Sequence, residues 1–285
     1  MKVAIFGENG QVATELRRRT PKGVDLTVLG RDAADFLIPD NVYEATIALR
    51  VDAVINAVAY TAVDRAEEEN NHANAINGVS VGSMAQACAE MEIPLVHIST
   101  DYVFDGSGSF PRRPDETANP LGQYGRSKLL GETLIHKYKA HHAILRTSWV
   151  FSAHGANFVK SMLRLGAERE QLNVVGDQIG GPTPAAAIAD ALFTVARSMV
   201  DGHSGGTYHF AGAPDASWAD FAGEIFRQAD LATRVVDIPT TDYPTPAQRP
   251  LNSRLDCESL SRDFGIARPD WRVGLSDVLK ELQPA

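Results

Sequence analysis

Five short apolar runs, each separated from the next by a helical stretch, constrain this chain more than any other feature. Val3–Phe6, Asp25–Leu29, Ala53–Asn56, Leu95–Ser99 and Ala143–Thr147 are rich in Val, Ile and Leu and lack a clear polar face. A strand with one solvated face alternates in polarity, whereas a parallel strand covered on both faces does not. Helical patterns fill the gaps over Val12–Arg19, Val42–Leu49, Ala73–Glu92 and Tyr124–Tyr138. Repeated strand–helix alternation predicts an α/β fold, a doubly wound (Rossmann) parallel sheet.

The second half is less regular. Asn157–Arg169 reads as a helix, and Pro182-Thr183-Pro184 precedes an Ala-rich helix over Ala185–Met199. Thr207–Ala211 reads as a further strand, and Ser217 caps an amphipathic helix running to Gln228. The loop Pro239–Pro250 carries four prolines. The expected organisation is a cofactor domain over 1–148, with return segments near 185–212, and a smaller C-terminal substrate-binding lobe from 149–184 and 213–285. The 285 residues suffice for both.

The formal charge of −9 argues against a broad nucleic-acid footprint, which is usually basic. No apolar stretch approaches the ~18–20 residues of a membrane span. The two cysteines, Cys88 and Cys257, stand in no metal-like spacing, and Cys88 lies on the small apolar side of a helix. Buried free thiols suit a reducing cytoplasm. The first residues run straight into a strand without signal-peptide architecture. His141 and His142 are expected to be solvated, and the eight histidines show no metal spacing.

Gly7-Glu8-Asn9-Gly10-Gln11-Val12-Ala13 follows the first strand and opens the first helix. Glycines allow the tight turn and close backbone approach to a pyrophosphate, and the helix N-terminus offers free N–H groups. Gly7, Asn9, Gly10, Gln11 and Val12 are therefore cofactor candidates. At the end of the second strand, Arg31 suits a 2′-phosphate and NADP, whereas Asp32 would accept from a ribose 2′-hydroxyl and favour NAD. Arg31 comes first, which tilts the expectation to NADPH and leaves NADH open. Asp35 and Phe36 would lie against the adenosine. Ala57, Val58, Ala59 and Tyr60 leave room for a flat ring or ribose after the third strand.

Thr100 ends the fourth strand, and Tyr124 and Lys128 sit one turn apart where the next helix opens. A neighbouring ammonium favours a phenolate, so the spacing predicts a Tyr124 pKa drawn from about 10 towards neutrality. A phenol tuned in this way can give or take a proton, while the Thr100 hydroxyl holds a carbonyl beside it. Tyr-x-x-x-Lys alone is common by chance. Its order after the glycine turn and a strand-end threonine points to hydride chemistry on a nicotinamide cofactor.

With these residues in place, the chain resembles the extended short-chain dehydrogenase/reductase superfamily, and within it the dTDP-4-dehydrorhamnose reductase family. The matching segments include Asn56-Ala57…Thr61-Ala62-Val63-Asp64, Ser99–Gly106, Tyr124-Gly125…Lys128 and Arg146-Thr147-Ser148-Trp149-Val150-Phe151. They continue through Asn157-Phe158, Gly181-Pro182-Thr183, Tyr243–Ala247, Arg249-Pro250 and Asn252–Leu255. The resemblance implies that NADPH delivers hydride to C4 of a keto-sugar attached to dTDP. Tyr124 would give the proton, Lys128 would bind the nicotinamide ribose and tune Tyr124, and Thr100 would orient the carbonyl. Tyr102 and Trp149 would line the sugar pocket, with Thr61 and Asn157 also on the substrate side. Arg249 and Asn252 would face the nucleotide diphosphate. Some members of the family are described as dimers bridged by Mg²⁺ on acidic residues. Glu15 matches one such position, but Pro184–Asp190 carries alanines where a further acid is expected, so a metal bridge is not expected while a homodimer stays open. A sugar-nucleotide epimerase or dehydratase, or a non-catalytic regulatory subunit, is the alternative on the same fold; the intact Tyr124 and Lys128 speak against the subunit.

Overall fold

A computed structural model describes residues 1–283. Six parallel strands form the central sheet: β1 (Lys2–Phe6), β2 (Asp25–Leu29), β3 (Ala53–Asn56), β4 (Leu95–Thr100), β5 (His142–Thr147) and β6 (Gly206–His209). Their order across the sheet is β6-β5-β4-β3-β1-β2. The order reverses between β1 and β3, where Phe6 pairs with Asn56. Crossovers on the two sides of that point diverge, so a crevice opens above the carboxyl ends of these strands.

Helices cover both faces because the strands have no polar side to offer water. On one face Leu16 and the Ala-rich helix Ala185–Val200 pack on Val3, Ile5 and Ile55. On the other, Val42, Met84, Cys88 and Ile135 pack on Ala4, Phe6, Val54 and Ile144. A third apolar cluster gathers Phe151, Val159, Leu172, Phe221, Ile225, Trp271 and Leu275 from late segments, around the paired strands Gln171–Val175 and Arg234–Ile238. Not every late residue joins it: Leu260 and Phe264 pack against the main sheet.

Boundaries shift where local chemistry overrides periodicity. The helix read from Val42 begins at Pro39, whose fixed φ suits a first helical position. The helix read as Ala73–Glu92 is instead Asn70–Asn74, a π turn over Ala75–Val79, and Ser80–Glu90. The strand expected over Thr207–Ala211 ends at His209. Both cysteines are free and buried. His141 and His142 are half-buried rather than fully solvated: His142 opens β5, donates from Nδ1 to the Ala140 carbonyl at 2.7 Å, and meets the His136 ring edge-on, while His141 donates from Nε2 to the His203 carbonyl. No helix among the described residues is long and apolar enough to cross a membrane.

Candidate active site

The first strand delivers its glycine turn to the crevice. Gly7 has φ +114°, a conformation that excludes most side chains, and a Cβ there would lie 3.3 Å from the Ala57 carbonyl carbon. Gly10 caps the helix Gln11–Arg18 and has open space where a Cβ would stand. The result is a cradle of backbone N–H groups at a helix N-terminus, suited to a diphosphate. A cleft of about 530 Å³ extends from it, lined by Gly7, Asn9, Gly10, Arg31, Asp35, Phe36 and Ala57–Tyr60, together with Arg65, Glu69 and Ile76, which the sequence did not single out. Arg31 stands at the rim, largely exposed, 3.5 Å from Asp35.

Gln11 and Val12 do not line this cleft. The Gln11 amide faces the late segments, accepting from Ser152 Oγ (2.9 Å) and Asn157 Nδ2 (3.0 Å), and Val12 is buried in the core. Only their backbone belongs to the helix start.

At the neighbouring strand ends, Thr100 and Thr147 are paired in register on β4 and β5. Thr100 Oγ1 donates to Asp101 Oδ1 (3.1 Å) and accepts from the Tyr102 amide (3.2 Å). Tyr124 packs its ring edge-on against Tyr102, with centroids 5.5 Å apart. The three members of the expected trio thus converge, with Lys128 one turn along the helix Gln123–Lys137. Asp101 Oδ2 and Thr147 Oγ1 are buried with no hydrogen-bond partner among the described residues. Orphaned polar atoms of this kind are costly unless a ligand or water answers them.

The expected lowering of the Tyr124 pKa is not what the protein alone produces. Burial pushes the phenol up to about 12, with the Thr100 hydroxyl pulling weakly the other way. Lys128 does not offset this, because its Nζ is turned to the Ile98 carbonyl (2.7 Å) and to His97 Nε2 (3.3 Å). Burial also lowers Lys128 to about 8, against the Glu132 carboxylate, which raises it. Asp101 is pushed up to about 6 by burial. Tyr102 is raised by burial and by the Asp101 charge.

Several supports escaped the sequence. Asn77, inside the π turn, accepts from the Tyr60 amide (2.8 Å) and donates to the Tyr60 carbonyl and to Ser127 Oγ (both 3.0 Å). It ties the cleft wall to the helix that carries Tyr124 and Lys128, and π turns favour functional sites. Arg146 and Glu132 form a buried two-bond pair at 3.0 and 2.6 Å, joined by Ser99. A buried asparagine amid the small residues of this helix was the available signal for Asn77.

The remaining candidates fall into two groups. Trp149 holds φ +48° and stacks on Trp218 at 3.6 Å, and Trp218 donates to Gln178 (3.2 Å). Arg249 donates to Asp64 (2.7 Å) while its Nη1 stays buried without a partner among the described residues, and the segment is pinned by the Ala247 amide on the same carboxylate. Thr61, three residues before Asp64, is exposed. By contrast, the Asn157 and Asn252 amides are consumed internally. Asn157 caps its helix through Lys160 and donates to Gln11 and Ser152. Asn252 donates to the Phe110 carbonyl (2.8 Å) and accepts from Arg254 (3.1 Å), bracing the 105–110 loop.

Glu15, His154 and Glu281 also converge. These residues do not fit Mg²⁺, which takes several oxygen ligands. One of the three is an imidazole, and the Arg18 guanidinium already lies 2.6 Å from Glu281, 3.1 Å from Glu15 and 2.7 Å from His154.

A phosphate cradle, a cleft and a Thr–Tyr–Lys group on a doubly wound sheet define an extended short-chain dehydrogenase/reductase, a class of nicotinamide-dependent oxidoreductase. The family model for the RmlD substrate binding domain matches residues 1–284. A dTDP-4-dehydrorhamnose reductase of Sinorhizobium fredii is 43% identical over 95% of this chain and 94% of its own, and the Escherichia coli K12 enzyme is 41% identical over 99% and 98%. The crystal structure of the Bacillus anthracis reductase in complex with NADP is 33% identical, with a TM-score of 0.91 over 98% of this chain and 99% of that one. A UDP-glucose 4-epimerase from Brucella ovis, 16% identical with a TM-score of 0.81, shares the fold alone. The chain belongs to the dTDP-4-dehydrorhamnose reductase family.

Proposed function

We propose that this chain reduces the C4 keto group of dTDP-4-dehydro-β-L-rhamnose to give dTDP-L-rhamnose. NADPH, when bound along the Gly7–Gly10 cradle, supplies the hydride. The observation that carries the assignment is the convergence of Thr100, Tyr124 and Lys128 beside a glycine cradle, with two orphaned polar atoms at the same strand ends.

The chain's own residues have distinct tasks. The Tyr124 phenol, held protonated by burial, is a proton donor to the alkoxide oxygen as charge develops there. Thr100 fixes the position of that oxygen, and Lys128 holds the ribose hydroxyls of the nucleotide. Asp35 and Phe36 face the adenosine. Arg31 at the rim, largely exposed and held only by a long 3.5 Å contact to Asp35, can turn its guanidinium to a 2′-phosphate, which favours NADPH over NADH. The stacked Trp149 and Tyr102 form the sugar walls, and Arg249, with its unanswered Nη1, receives the diphosphate. The cluster around Phe221 and Trp271 serves as the lobe that covers the sugar nucleotide.

The test is NADPH oxidation with dTDP-4-dehydro-L-rhamnose made in place. Turnover that falls at least about 10²-fold in Tyr124→Phe, with NADPH binding kept, supports the assignment. Near-normal turnover of that variant rejects Tyr124 as the acid. Tightly held NAD with no net NADPH consumption selects an epimerase or dehydratase instead.

A further inference from the structure

Behind Lys128 lies a chain of buried polar atoms whose protons are fixed one by one. Asn56, at the end of β3, accepts from the Val58 amide through Oδ1 at 3.0 Å. Turning the amide over would set its NH₂ against that N–H, donor to donor, so the orientation is determined. Asn56 Nδ2 therefore donates to His97 Nδ1, 3.1 Å away. An Nδ1 that accepts leaves the proton of a neutral imidazole on Nε2. His97 is wholly buried in the middle of β4, and burial by itself holds it well below its usual range, so it is neutral. Its Nε2–H points at Lys128 Nζ, 3.3 Å away. An ammonium has no lone pair to accept that bond; an amine has one. The amine can still donate to the Ile98 carbonyl at 2.7 Å.

We propose that His97, oriented by Asn56, is a positioning residue that holds Lys128 as a neutral amine in the resting enzyme at mildly alkaline pH, so that Lys128 takes up a proton from solvent when the nicotinamide nucleotide binds. This rests on the cofactor site proposed above. The charge balance is simple: the amine nitrogen gains one proton and becomes an ammonium. Two donors, Nε2–H and the ammonium, then oppose each other. The contact that held Lys128 back becomes repulsive and drives Nζ off His97, towards the ribose hydroxyls and the Tyr124 phenol one turn away.

The other charged and titratable groups around Lys128 do not cancel this bias. On its own helix stand Tyr124, protonated, and Glu132, whose charge is taken by Arg146 of β5 and by the Ser99 hydroxyl. From the end of β4 come Asp101 and Tyr102, and His142 of β5 lies behind His97. Glu132 alone favours the ammonium, and burial outweighs it.

Two measurements test the inference. In free enzyme labelled with ¹⁵N-histidine, His97 is expected as the Nε2–H tautomer; an Nδ1–H tautomer overturns the proposal without any variant. In titration calorimetry of NADPH at pH 8.5 in buffers of different ionisation enthalpy, binding is expected to take up roughly half a proton or more per site. Asn56→Asp keeps the Val58 bond but places an acceptor on Nδ1, reversing the tautomer, and His97→Gln offers Lys128 a carbonyl. In both, uptake should vanish, and the high-pH limb of kcat/KM should move up by about one unit or more. Uptake unchanged in both variants, or absent from the wild type that binds NADPH, overturns it. Failure of NADPH to bind at all instead refutes the cofactor site.

Discussion

Gly125, between Tyr124 and Ser127 on the catalytic helix, is where the trio is set to distance. An ideal Cβ at this position would lie 2.1 Å from the Tyr102 carbonyl oxygen, 2.8 Å from Pro120 Cβ and 3.0 Å from the Tyr102 carbonyl carbon. The first contact is about 1.3 Å inside the 3.4 Å at which ordinary contact begins, and its partner is backbone, which cannot swing aside. Gly125→Ala must therefore push the helix away from the Thr100–Tyr102 turn by about 1 Å. Overpacking of this kind costs about 1–3 kcal/mol of stability. The displacement separates Tyr124 from Thr100 directly, and a misplacement of ~1 Å costs on the order of 10²-fold in rate. The assay is NADPH oxidation with the keto-sugar nucleotide, alongside a urea unfolding midpoint and NADPH titration by fluorescence. The loss should fall mainly on kcat and less on NADPH affinity, because the glycine cradle lies on another strand and only the ribose contact of Lys128 moves with the helix. A variant that keeps its kcat while its unfolding midpoint drops would show that helix–turn spacing does not govern the chemistry. A fully stable and active variant would refute the steric argument itself.

Three further outcomes follow from the structure. Glu132→Ala strands the buried Arg146 guanidinium and should lower stability by about 3–5 kcal/mol in urea unfolding, while the double change with Arg146→Met should recover much of it; no recovery would mean the pair is not what is lost. Burial and the Arg146 charge hold His209 down at about 3, so the unfolded chain binds its proton first as pH falls through 6.5; His209→Gln should flatten the fall of stability between pH 6 and 4 by roughly 1.4 kcal/mol per unit, partly masked in the wild type by Asp101, which works the other way below about 6, and parallel curves would refute it. Chelation with EDTA should leave the sedimentation coefficient unchanged, since Arg18 already occupies the ground between Glu15 and Glu281; a mass that halves would show a metal bridge after all.

The inner strands were legible because burial on both faces writes an apolar run, as in β3, where all four residues are buried; β2 also falls where the residues place it, although as the edge strand it exposes Asp25 and Thr27. Tyr124 and Lys128 were legible because helical spacing puts i and i+4 on one side. What the sequence hides is partnership across elements. A π turn has nearly the periodicity of the helix around it, so Ala75–Val79 looked like any other turn until Asn77 found Tyr60. His97 sits in a buried strand beside Ser99 and Thr100, and its meaning depends on Asn56 and Lys128 from two other elements. For Asn157 and Asn252 the sequence carries no mark that their amides also brace Gln11, Ser152, Phe110 and Arg254. The Tyr124 pKa went astray for a related reason: spacing places an ammonium nearby, but not which way it turns.

The stacked pair Trp149–Trp218 has an optical consequence. All three tryptophans of the chain, these two and Trp271, lie in the late segments around Phe221, and none lies on the central sheet. Intrinsic fluorescence is therefore a spectroscopic window onto one half of the protein. Two indoles 3.6 Å apart and nearly parallel, at 11°, are also close enough for their transitions to couple, giving a paired near-ultraviolet dichroism band. That band should respond when a sugar ring settles on the indole and stay silent when only the nucleotide cleft fills, so a single instrument can time the two arrivals separately.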